Sequence, residues 1–136
     1  GQETPEVELE PLVRALGIRQ VVTVDPYDLS AVEEALRGCI ASDRPAVVIS
    51  RRPCALLPEV RRTYQPLRVD ADKCVACGAC RRVGCPATLK SDRVYEKTGR
   101  QITTIDPLLC TGCEICAQVC PMNAILFRAQ LAGEVA

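Results

Sequence analysis

Two short cysteine runs at a fixed separation constrain this chain more than any other feature. The downstream run reads Cys110-x2-Cys113-x2-Cys116-x3-Cys120-Pro121, and the upstream run reads Cys74-x2-Cys77-x2-Cys80-x4-Cys85-Pro86. Laying one on the other pairs Cys74 with Cys110, Cys77 with Cys113 and Cys80 with Cys116 at an offset of 36 residues, and Cys85 with Cys120 at 35. Val69-Asp70 and Ile105-Asp106 match at the same 36-residue spacing, so the segment is an internal duplication with Gly84 as the extra residue of its first copy. The proline after each run ends any helix that the run begins.

The chain holds ten cysteines among 136 residues and no histidine. A secreted disulfide scaffold is the ordinary reading of such density, but no apolar signal segment is present, and C-x2-C sets suit a metal better than pairing. The absence of histidine excludes Rieske ligation, mixed Cys/His zinc sites and histidine acid–base chemistry. Structural zinc sites draw C-x2-C pairs from two knuckles, so triplets followed by Cys-Pro have no reason in tetrahedral zinc geometry. Both runs resemble those of bacterial two-cluster ferredoxins, in which three cysteines of a run hold one [4Fe–4S] cluster and the fourth ligates the other. The resemblance implies Cys74, Cys77, Cys80 and Cys120 around cluster one, and Cys110, Cys113, Cys116 and Cys85 around cluster two. Ala76, Gly78, Ala79, Thr111 and Gly112 are small enough to let the main chain curl around sulfur. Val75, Val83, Ile105, Ile115, Val119, Ile125 and Phe127 are the expected apolar lining. Thiolate ligation implies a reducing compartment, expected to be the cytoplasm, and a second half whose stability depends on its clusters.

Formal charge is zero but unevenly divided: residues 1–60 carry 6 basic and 10 acidic side chains, and residues 61–136 carry 11 and 7. Two oxidised cubanes of about −2 each, counting their thiolates, would cancel the basic excess, which weakens any nucleic-acid reading of the arginines. Arg61, Arg62, Arg81 and Arg82 are read as a solvated basic surface, with steering of an acidic redox partner as the functional alternative. No stretch approaches the roughly 20 apolar residues of a membrane span.

Upstream of the cysteines the pattern changes. Residues 1–10 carry four glutamates and no basic residue and read as a loop. Pro11 to Leu16 is expected as a short helix closed by Gly17, and Arg19 to Asp25 as a buried valine-rich strand. Leu29, Val32, Ala35, Leu36, Cys39 and Ile40 recur at helical spacing, with Asp28 or Ser30 as N-cap and a Ser30/Glu33 capping box. Ala46 to Ser50 reads as a second buried strand. That order is a β-α-β unit, and two parallel strands cannot cover both of their own faces. Residues 1–57 are therefore expected to be the end of a larger α/β domain.

Residues 58–67 are expected to link this part to a cluster domain over 68–130, followed by a tail at 131–136. Cys54 is expected to pack as a small buried thiol and Cys39 to lie in the core of the helix face; neither is a proposed ligand. Leu67 to Asp70 reads as a short strand, Arg93 to Tyr95 with Gln101 to Thr104 as a hairpin, and Ala124 to Phe127 as a closing strand.

Taken together, VVTVDPYDLSAVEEAL followed by RPAVVISRRPC and then by the longer first cysteine run resembles the α subunit family of indolepyruvate:ferredoxin oxidoreductases, from about Val21 to Phe127. The fold this implies is an α/β fragment, the β-α-β end of a parallel-sheet thiamine-diphosphate domain, followed by an α+β bacterial ferredoxin-like domain with two [4Fe–4S] clusters. The activity implied is oxidative decarboxylation of an aryl 2-oxoacid with coenzyme A, giving an acyl-CoA, carbon dioxide and reduced ferredoxin. Partners implied are the upstream part of the α subunit, a smaller β subunit and an external ferredoxin. No GDG-type segment followed by asparagine occurs, so thiamine diphosphate and Mg2+ are expected in the complete enzyme and not on this chain. No catalytic residue is assigned, and the chain alone is not expected to turn over. The alternative reading is a free two-cluster carrier with an N-terminal docking module. An iron–sulfur sensor is disfavoured, since the clusters are fully ligated and no DNA-reading helix is evident.

Overall fold

The computed structural model describes residues 5–126, which fall into two compact units dividing between Arg52 and Pro53. Phe127, the tail at 131–136 and the outer end of the expected 68–130 domain lie outside the described residues, as do residues 1–4.

In the first unit, helix α1 (Leu9–Ala15) ends before Gly17, and strand β1 (Gln20–Val24), helix α2 (Leu29–Ile40) and strand β2 (Ala46–Ser50) follow. β1 and β2 pair in parallel, in register from Gln20↔Ala46 to Val24↔Ser50, and the Arg51 N–H extends the ladder to the Val24 carbonyl at 2.9 Å. α2 begins where it does because the Asp28 carboxylate accepts from the Ala31 N–H at 3.0 Å. That places Ser30 inside the helix, so the Ser30/Glu33 capping box does not form; Glu33 pairs instead with Arg37 one turn on, at 2.5 Å. Such an exposed pair contributes only about 0.3–0.5 kcal/mol.

The strands are half-buried rather than buried, with only Val24 and Ile49 fully enclosed. Along α2, Ala35 is buried and Cys39 half-buried, but Leu36 is exposed and Ile40 is 82% exposed. The apolar stripe is wider than two strands can cover.

In the second unit, residues 58–67, expected as linker, carry the short helix α3 (Pro58–Arg61) and end in Leu67, which is 2% exposed and belongs to the core. Cys54, expected to be buried, is exposed, because it lies in the irregular stretch between β2 and α3 with no element over it. Strands β3 (Arg68–Val69) and β6 (Ile125–Leu126) pair antiparallel. Strands β4 (Thr88–Tyr95) and β5 (Arg100–Ile105) form the hairpin, longer than the sequence suggested because its base reaches back to Thr88, with a register irregularity between Lys90 and Val94. A 3₁₀ turn at Cys80–Val83 and helix α4 (Ile115–Gln118) occupy equivalent places in the two copies of the repeat. No helix among the described residues is long and apolar enough to cross a membrane.

A candidate iron–sulfur centre

The duplication is repeated in the backbone. Asp70 and Asp106 open their copies identically: each carboxylate accepts from the amide two residues on (Asp72 at 3.1 Å, Leu108 at 2.8 Å), and each carbonyl accepts from the first cysteine of its run (Cys74 at 3.1 Å, Cys110 at 3.0 Å). The Lys73 ammonium, hydrogen-bonded to the Asp70 carboxylate at 3.1 Å, holds that carboxyl below its ordinary range. Within each run, the residue before the second cysteine and the residue after it both take the left-handed conformation: Ala76 and Gly78 in the first copy, Gly112 and Glu114 in the second. Left-handed residues alternating with ordinary ones turn successive N–H groups to one side, a concavity suited to anionic clusters. Ala76 and Glu114 bear this at a cost of about 1–2 kcal/mol each, so surrounding contacts must impose it. Gly84 also has positive φ, at 76°. It ends the 3₁₀ turn and absorbs the extra residue, so that Cys85 can follow.

One cavity in this unit is lined by Cys74, Cys77, Cys80 and Cys120, together with Val69, Val75, Gly78, Thr103, Met122, Ala124 and Ile125. Three cysteines of the upstream run thus share a space with the last cysteine of the downstream run. Among the described residues, no three His, Cys, Asp or Glu side chains close on a single-ion point. The four thiols instead surround a volume, as a cluster with one thiolate per iron requires.

The other four cysteines are gathered around Cys116, which is buried in the core cluster with Leu67, Cys80, Ala117 and Ile125. Burial first, and then Cys113, Cys110, Cys85 and Cys80, push the Cys116 thiol up to about 12. The first three of those neighbours complete the second expected set. A thiol that must ionise to bind iron is here held protonated by an apolar surround and by its fellow ligands. Loading must release that proton, and the sign is clear: below about 12 the proton competes with iron, so lower pH weakens loading. Reconstitution with iron and sulfide is expected to strengthen as pH rises from about 7 to about 9, with the buried Cys116 proton among those that loading releases. A flat profile in a reconstitution titration would show that the cysteines are not loaded as thiolates.

Three sulfurs already have hydrogen-bond partners that would act on a cluster's potential. The Ala124 N–H donates to Cys120 Sγ at 3.3 Å and the Leu67 N–H to Cys110 Sγ at 3.5 Å. The Cys80 thiol donates to the Thr103 hydroxyl at 3.3 Å; as a thiolate, Cys80 would accept from it. Thr103, 2% exposed, was not foreseen from the sequence. Nothing in the sequence marks it; in the structure its burial next to Ile102 breaks the expected alternation along β5. Val69, Met122 and Ala124 likewise joined the lining without a distinguishing pattern. Of the expected lining, Val75 and Ile125 face the cavity, and Ile105 and Val119 pack on the core. Ile115 is half-buried at the start of α4. Val83 does not line it: as the last residue of the 3₁₀ turn it is 41% exposed. Arg61, Arg62 and Arg82 are exposed, whereas Arg81 folds back against Gly78 with a buried guanidinium nitrogen.

The donor set, all thiols with an apolar lining beside paired left-handed turns, fits iron–sulfur clusters. Residues 73–124 match the family model described as a 4Fe-4S dicluster domain. The chain is 40% identical over 127 residues to the indolepyruvate oxidoreductase subunit IorA of Methanothermobacter marburgensis, an alignment covering 92% of this chain and 19% of that subunit. It is 35% identical over 133 residues to the IorA subunit of Pyrococcus horikoshii, covering 90% and 20%. A 61-residue stretch is 38% identical to an uncharacterised ferredoxin of Methanocaldococcus jannaschii, covering 44% of this chain and 74% of the ferredoxin. The chain therefore spans about one fifth of the length of the IorA relatives it matches. No solved structure matches it.

Proposed function

We propose that this chain, 35–40% identical to IorA subunits over about nine tenths of its length and matching a 4Fe-4S dicluster family model over residues 73–124, is the electron outlet of an indolepyruvate-type 2-oxoacid:ferredoxin oxidoreductase. The observation that carries the reading is the mixed membership of the cavity, in which Cys120 joins Cys74, Cys77 and Cys80. Cluster one takes those four cysteines, and cluster two takes Cys110, Cys113, Cys116 and Cys85. When bound, such clusters accept and release electrons one at a time. The chain's own part is to hold and insulate them: paired left-handed turns aim amides inward, Thr103, Ala124 and Leu67 supply hydrogen bonds to sulfur, and Leu67, Ala117 and Ile125 exclude water.

Residues 1–57 are, in this reading, the last β-α-β of a thiamine-diphosphate domain, joined through 58–67 to the cluster domain over 68–130. The parallel β1/β2 pair and its half-exposed strands support this, since such strands are ordinarily covered on both faces. The diphosphate and Mg2+ sites belong to the remainder of the subunit, and no residue of this chain is assigned to them. The remainder of the subunit, a smaller β subunit and an external ferredoxin are the partners, in the reducing cytoplasm. The second reading, a free two-cluster carrier, is favoured by the similarity to most of a small ferredoxin.

Anaerobic purification is expected to give brown protein with about eight irons per chain. Mixing it with the remaining subunit portions, thiamine diphosphate, Mg2+, coenzyme A and indolepyruvate should bleach the visible absorption, and leaving out any of these should not. Colourless protein with two zincs would sink the cluster reading. Loaded protein that stays oxidised in the complete mixture, yet is reduced by an unrelated enzymatic donor, would establish the carrier.

A further inference from the structure

The repeat that makes the two cysteine runs alike also exposes where they differ in charge. Arg81 follows Cys80, and at the repeat offset its counterpart is Ala117, which is 2% exposed and uncharged. Arg81 folds over its own loop: its Nη2 lies 3.2 Å from where a Cβ on Gly78 would stand, and Gly78 lines the cavity with Cys74, Cys77, Cys80 and Cys120. Its Nη1 is buried without a hydrogen-bond partner, and a buried unpaired donor of this kind calls for an acceptor. The counterpart of Gly78 is Glu114, directly after Cys113, with the same left-handed backbone and a carboxylate in place of a hydrogen. Of the other charges near the first run, Lys73 pairs with Asp70 at 3.1 Å and Arg93 with Asp72 at 2.7 Å, while Arg82 is exposed to water, which screens it.

We infer that Arg81 beside the first run and Glu114 within the second set cluster one at a higher reduction potential than cluster two, so that a single electron rests on cluster one. The inference builds on the two-cluster reading above. Reduction adds one negative charge to a cluster. A guanidinium at one loop favours that addition, a carboxylate at the other opposes it, and water-poor surroundings strengthen both effects. Arg81 is a positioning and tuning residue here; it holds no iron.

The test is a redox titration of the fully loaded chain, read by electron paramagnetic resonance, for the unmodified protein, Arg81→Gln and Glu114→Gln. The unmodified chain should show two waves separated by at least about tenfold in the reduced-to-oxidised ratio, which is 59 mV for one electron. Arg81→Gln should lower the higher wave by about tenfold and leave the lower in place. Glu114→Gln should raise only the lower wave, by about threefold or more. One unresolved wave in the unmodified chain, either variant moving the opposite wave, or full iron content with both waves unmoved would overturn the assignment. If Arg81→Gln loads fewer irons than the unmodified chain, Glu114→Gln decides the matter alone. An unmodified chain that loads no clusters overturns the two-cluster reading itself, so the two failures are told apart by iron content.

Discussion

Replacing Cys120 with alanine is expected to empty the site built on the upstream run while sparing the site built on its own. Iron should fall from about eight to about four per chain. On anaerobic alkylation followed by mass spectrometry, Cys74, Cys77 and Cys80 should become reactive, and Cys110, Cys113, Cys116 and Cys85 should stay protected. The expectation comes from the cavity, in which Cys120 sits with Cys74, Cys77 and Cys80. Sequence proximity alone predicts the reverse, since Cys116 is only one helical turn from Cys120. Labelling of Cys110, Cys113 and Cys116 in place of the upstream three would rule out the crossed arrangement.

The second large effect is on stability. Stripping iron from the loaded chain is expected to abolish protection against hydrogen exchange across 68–126 while changing residues 9–50 little. The reason is the make-up of the second unit's core. Of the nine apolar residues buried in it among the described residues, four are alanines and two are cysteines, leaving Leu67, Ile102 and Ile125 as the large ones. Burying a leucine or isoleucine is worth about 1.5–3 kcal/mol, whereas ordering the backbone costs about 1–2 kcal/mol per residue. So few large apolar groups cannot offset the ordering of this unit, and the metal must supply the difference. Structural metal sites in small domains contribute on the order of 10 kcal/mol, so even a third of that amount lowers protection by about two orders of magnitude. Unchanged protection in the iron-free chain would show that the cysteine core is self-sufficient.

The cysteine runs were the legible part, because ligand spacing is local and is written directly in residue type. The repeat was legible as well, down to Val69-Asp70 and Ile105-Asp106, whose shared role in opening each loop only the backbone made explicit. Strand β2 followed from its continuous apolar run, and the Asp28 cap from capping chemistry that offered it alongside Ser30. What failed depended on tertiary surroundings. Cys54 and Val83 have residue types that favour burial, but no element passes over them. Ile40 sits on the correct helix face with nothing beneath it. Thr103 was missed for the converse reason: a threonine on a strand carries no mark of the sulfur that it will meet. Glu114 hides a left-handed turn that its residue type disfavours, and it was recoverable only by laying it over Gly78 in the other copy.

The β4–β5 hairpin has a further consequence. Its two strands are anchored at their base to different cysteine sets. The Thr88 hydroxyl and N–H both donate to the Cys85 carbonyl, at 2.9 and 3.1 Å, while Thr103 on the opposite strand meets Cys80 at 3.3 Å. In the proposed two-cluster arrangement, the pairing of Thr88 with Ile105 and of Lys90 with Thr103 would act as a spacer between the two redox centres. Electron tunnelling falls steeply with separation, so in that arrangement the ladder's register would bear on how fast charge hops from one centre to the other. A slip of one residue would turn Thr103 to the opposite face and detune the hop, whereas lengthening the turn at residues 96–99 would leave the gauge untouched.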